Sequence, residues 1–190
     1  MRIFLTTDHI SLTEDNTADK KIIYAIVVIA VIAVAAVGIY LLINNDKEKP
    51  VGEYAEYTVS GSAGATTFSG TMKVTVVSET SKQYKIEYVY DIYQTTSGVK
   101  TPFMVDTETV WENKNDLGGR DMGVKQGSTT TITTSKWGSK EVDVYVNAVP
   151  GEPTMTTYVG TADGIPYRMT MTVPASSINI TFNLSDTNLF

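Results

Sequence analysis

The chain has 190 residues, a formal net charge of −6, no cysteine and a single histidine, His9. Lack of cysteine excludes disulfides, thiolate metal sites, a thiol nucleophile and a lipobox-type anchor. One histidine, set apart from the main domain, excludes a Ser-His pair and the usual zinc shell there. The acidic excess forms no basic stripe, so no nucleic-acid partner is expected.

Residues 1–21 form a short polar head that carries Arg2, Lys20 and Lys21 among four acidic side chains. From Ile22 to Ile43 no side chain is charged. A helix over these residues is about 33 Å long, and the hydrocarbon core of a bilayer is about 30 Å thick. The run therefore predicts a single transmembrane helix. It is longer than the apolar part of a cleavable signal, although Ala33-Val34-Ala35 offers a cleavage triplet. A pilin-type stalk is the other reading, but Asp19-Lys20-Lys21 precedes the run where a small residue belongs. Lys20 and Lys21 abut the amino side, whereas Lys47 and Lys49 beyond it alternate with Asp46 and Glu48. Positive flanks stay in the cytoplasm, so the head is expected inside and the tail outside. Tyr24 and Tyr40 fit the two headgroup layers. No two small residues of the run are four apart, which removes the close-packing code for helix pairs and leaves a plain anchor.

Residues 44–52 are polar, hold Pro50 and Gly52, and read as a linker. Residues 53–190 then alternate with period two. Phe68, Met72, Val74 and Val76 fall on one face of a strand. Tyr84, Ile86, Tyr88, Tyr90 and Ile92 follow on the next. Later come Val142–Val146, then Ile165, Tyr167, Met169, Met171 and Val173, and last Ile178, Ile180, Phe182 and Leu184. One buried and one wetted face is the mark of antiparallel sheet, and the connections are too short for parallel crossovers. Asp163-Gly164 has the residue types of a tight turn. Ser128–Ser135 is seven-eighths Ser and Thr, and reads equally as an edge strand, a long hairpin or a flap.

The densest acidic stretch is Asp106, Glu108, Glu112, Asp116 and Asp121. Asp106 and Glu108 share a strand face suited to a hard cation. The spacing does not match an EF-hand, so a solvated face leading into a turn is preferred and no metal or other cofactor is expected. Two sequons, at Asn179 and Asn183, match a motif loose enough to arise by chance in so Thr-rich a chain. Tyr88, Tyr90, Tyr167, Met169 and Met171 are candidates for lining an apolar pocket, with ordinary core filling as the alternative. No nucleophile elbow, Ser-x-x-Lys motif or spaced acid–base pair is present, and no enzymatic activity is expected.

Trp137-Gly138-Ser139-Lys140-Glu141-Val142-Asp143-Val144-Tyr145 resembles a strand entry of uncharacterised archaeal single-pass surface proteins. Tyr158-Val159-Gly160 through Asp163-Gly164-Ile165-Pro166-Tyr167-Arg168-Met169 resembles the hairpin that follows it there, and Ser185–Asn188 resembles their ending. The strand order is similar to the unclosed β-barrel of lipoprotein and glycolipid carriers, although their plugging helix has no counterpart in the pattern. The resemblance implies a curled sheet that wraps an apolar ligand, and it transfers no site residue.

The expected fold is an N-terminal transmembrane helix and a mainly-β domain, an antiparallel curled sheet or half-open β-barrel of eight to nine strands. The expected role is a membrane-anchored, extracytoplasmic binding module. Its partners would be the lipid bilayer and an unidentified protein or lipid ligand. A structural surface-layer or pilin-like filament subunit is the alternative.

Overall fold

The computed structural model describes residues 51–114, 123–148, 153–173 and 177–189. The expected span Ile22–Ile43, the head and most of the linker lie outside them. Among the described residues, no helix is long and apolar enough to cross a membrane.

Among the described residues there are ten strands: β1 (Tyr54–Ala63), β2 (Thr66–Glu79), β3 (Gln83–Thr96), β4 (Val99–Asn113), β5 (Val124–Lys125), β6 (Thr130–Thr134), β7 (Gly138–Asn147), β8 (Thr154–Gly160), β9 (Pro166–Val173) and β10 (Ile178–Thr187). They form one sheet in the order β4-β3-β2-β1-β10-β9-β8-β7-β5, and β6 also pairs with β7. Each ladder is antiparallel. The two meanders, β1–β4 and β7–β10, join where the first strand meets the last. The sheet does not close on itself, because β4 and β5 stand at opposite ends of the order.

The count is ten rather than eight or nine. β5 has two residues, too few to show a period, and β6 lies in the Ser/Thr run, where Ile132 is the one apolar residue. Two of the three readings left open for that run meet in β6, which among the described residues pairs with β7 alone and forms a hairpin with it.

Turn chemistry sets the register. Ser97 and Gly98 both have positive φ, 52° and 80°, as a two-residue type I′ hairpin between β3 and β4 requires. Asp163-Gly164 does lie in a turn, inside the longer β8–β9 connection. Its closure comes from Gly160 N–H donating to Ile165 C=O at 2.8 Å and Asp163 Oδ1 accepting from Ile165 N–H at 3.1 Å.

The alternation read from sequence holds in β2, β3, β9 and β10, whereas in β7 Val142 is buried and Val144 and Val146 are no more buried than Asp143 and Tyr145. Tyr57, Met72, Ile86, Met169 and Phe182 are fully buried and belong to one core that draws on β1–β3, β6, β7, β9 and β10. Gly61 in β1 and Gly70 in β2 interrupt this face. A Cβ on Gly70 would stand 2.0 Å from the Asp91 carbonyl oxygen, and one on Gly61 2.4 Å from that of Asn179. Only glycine lets neighbouring backbones approach so closely, and such positions are where sheets bend.

Candidate functional site

The five residues expected to line an apolar pocket all belong to the buried core. Tyr88 and Tyr90 on β3 stack with rings 6.2 Å apart and nearly parallel. Tyr167, Met169 and Met171 lie on β9, four places away in strand order. Tyr167 meets Trp137 edge-on at 5.9 Å and donates to Asp163 Oδ2 at 2.6 Å. Burial first, and the Asp163 hydrogen bond second, raise its phenol above the ordinary value. Of the five, Tyr167 alone lines the cleft described next.

That cleft has a volume of about 290 Å³ and is built by two units. Thr58 on β1, Asn183 on β10 and Arg168 on β9 are direct partners in register and form one wall. They occupy the face opposite Val59, Phe182 and Met169. Ile132, Thr133, Thr134 and Ser135 of the hairpin form the other wall, and Tyr167 on β9 and Leu184 on β10 complete the lining. The hairpin of β6 and β7 reaches this position because β8 ends at Gly160, opposite Val142. Beyond that point the hairpin has no β8 beside it. Thr134 Oγ1 donates to Gly138 C=O at 2.9 Å and accepts from Trp137 N–H at 3.0 Å, which shapes the tip.

A polar latch holds the tip down. Lys136 donates to one carboxylate oxygen of Asp186, and the Tyr54 hydroxyl donates to the other at 2.9 Å. The Lys136 and Tyr54 hydrogen bonds hold the Asp186 carboxyl below its ordinary range, and Asp186 in turn raises both Lys136 and Tyr54.

The second feature is the outer edge of β4. This strand has 15 residues and, among the described residues, pairs only with β3. Most of it is exposed, including Val99, Val105 and Trp111. Asp106 and Glu108 do share a face, opposite Tyr90 and Tyr88. Burial first, then the Glu108 and Asp106 charges, raise the Tyr90 phenol. Asp116 and Asp121 lie outside the described residues. Among the described residues, no acidic or histidine group is arranged to hold a metal ion. Sequence reasoning missed both the latch and the cleft. Their residues come from distant strands, and no local pattern marks them.

No known protein family matches the chain, and no curated protein does. Among solved structures, a hypothetical protein of Chlamydia trachomatis, CT021, aligns at 11% identity over 74% of this chain and 89% of its own, with a TM-score of 0.26. Likeness that faint carries no argument about fold or role.

Proposed function

We propose that the chain is a membrane-tethered binding module whose β domain, outside the cytoplasm, offers the outer edge of β4 around Val105–Val110 to an extended segment of a partner protein. The observation that carries the reading is the contrast between the sheet's two ends. One end is blunted by strands of two and five residues, β5 and β6. The other presents a 15-residue strand that, among the described residues, pairs with one neighbouring strand only. Proteins normally shorten or cover such edges, because the unpaired N–H and C=O groups invite another strand. A partner that adds there gains main-chain hydrogen bonds, with alternate side chains setting specificity.

Packing favours a protein partner over a lipid. Tyr57, Met72, Met169 and Phe182 have no exposed surface, so the apolar face is covered by its own side chains. The inner row of β4 then suggests the partner's chemistry. Asp106 and Glu108 stand two residues apart on that row, and an added strand with Lys or Arg at alternate positions complements them.

Amide exchange on the full-length chain in detergent, with a nine-residue peptide alternating Lys and Val, tests this reading. Slowed exchange across Val105–Val110, absent when Glu replaces Lys in the peptide, is the expected result. No protection of β4, or equal protection by both peptides, refutes it. Protease added to intact cells checks the tether separately: digestion of the β domain is expected, and full resistance places the domain inside.

A further inference from the structure

We propose that the cleft beneath the β6–β7 hairpin is a binding site for a small hydroxylated carboxylate the size of one acidic sugar residue, with Arg168 as its anion receptor. Arg168 is half-buried, and among the described residues its positive charge meets neutral partners. Nε donates to Asn183 Oδ1 at 2.8 Å, Nη2 reaches the Thr133 carbonyl oxygen at 3.5 Å, and the guanidinium lies over the Tyr158 ring at 5.9 Å. Among the described residues no carboxylate pairs with it. The nearby acids are engaged elsewhere: Asp186 with Lys136 and Tyr54, and Asp163 with Tyr167.

A partly buried cation without a counter-ion is costly, and the cost is relieved when an anion arrives. Arginine suits that role because its planar fork takes a carboxylate through two parallel hydrogen bonds. Here the fork is already aimed: Asn183 holds Nε, and Tyr158 supports the plane. The remaining lining is hydroxyl-rich, with Thr58, Thr133, Thr134 and Ser135 around Ile132 and Tyr167. Hydroxyls around a small apolar floor match a sugar, which carries a rim of OH groups around C–H surface. A volume near 290 Å³ lies at the small end of ligand sites and limits the occupant to a single ring. The site is independent of the β4 edge.

Isothermal titration of the full-length chain in detergent tests the proposal, with sodium D-glucuronate as probe and D-glucose as its uncharged counterpart. Saturable binding of glucuronate, with none of glucose over the same range, is expected. Arg168→Gln should weaken glucuronate binding by at least about tenfold, the usual worth of a charge-assisted pair. Thr58→Leu, at an exposed position that leaves the guanidinium in place, should also abolish binding by filling the cleft. The near-UV spectrum verifies that each variant is folded. Absence of glucuronate binding by the wild-type chain, equal binding of glucose, or unchanged binding by either folded variant overturns the assignment. If Arg168→Gln fails to fold, Thr58→Leu decides between binding and no binding by itself.

Discussion

Tyr57 places a phenol at the centre of β1 with no exposed surface, and its hydroxyl meets no hydrogen-bond partner among the described residues. Burial alone raises its pKa far above the ordinary tyrosine value. A hydroxyl that loses water and gains nothing costs about 1–3 kcal/mol, whereas the ring contributes the area that makes tyrosine worth burying. Removing only the oxygen should therefore help. Tyr57→Phe is expected to raise the unfolding free energy of the domain by about 1 kcal/mol, read from the midpoint of urea denaturation. A loss of stability would mean that the hydroxyl has a partner after all. Tyr167, with its Asp163 acceptor at 2.6 Å, is the internal contrast, since the same deletion there leaves a carboxylate oxygen short of a donor.

At the scale of elements, the β6–β7 hairpin is anchored by Ile132 and Val142 in the core, and a charged latch fixes its tip. Its tip touches the rest of the sheet through Lys136–Asp186, the Trp137–Tyr167 ring contact and Arg168 at Thr133. Asp186 is depressed in the folded state, so it binds fewer protons there than in the unfolded chain. Its stabilising contribution is complete above the unfolded carboxyl pKa of about 3.9 and is lost as pH falls from there through the folded value. Thermal unfolding followed from pH 6 to pH 2 should show a drop below about pH 4, and that part of the drop should be smaller in Lys136→Met. An identical pH profile in the two proteins would sink the latch.

These elements also mark how far the sequence could be read. In β3 the alternation of Tyr84, Ile86, Tyr88, Tyr90 and Ile92 named the buried face correctly, because apolar side chains at period two leave one arrangement that buries them. In Ser128–Ser135 every neighbour of Ile132 is Ser or Thr, so neither face was distinguishable and the strand was legible only as one option of three. The cleft was not legible. Thr58, Arg168 and Asn183 become neighbours through register between strands more than 100 residues apart for β1 and β10, and the wall facing them depends on β8 ending before β7 does. The pocket expected on Tyr88, Tyr90, Tyr167, Met169 and Met171 drew on the correct face, but that face packs as core.

At the scale of the whole molecule, an open sheet with one long edge must avoid pairing with its own copies, and the charge on β4 supplies a reason. Two β4 edges brought together antiparallel, with Thr107 opposite Thr107, would set Asp106 of each copy against Glu108 of the other on one face. Like charges directly opposite destabilise a strand pair, and two such contacts arise in every dimer by symmetry. The same carboxylates that would attract a basic strand thus repel an identical chain. Neutralising them separates the two effects. Asp106→Thr with Glu108→Thr, which keeps the β-forming character of the strand, should lose the Lys/Val peptide and gain self-association. Sedimentation velocity at several concentrations would reveal dimers or fibres that the parent chain does not form under the same conditions. A double variant that stays as monomeric as its parent would show that something other than these charges guards the edge. A parent chain already assembled through β4 would turn the interpretation toward a filament subunit, because the repulsion would then have been outweighed by pairing along the strand.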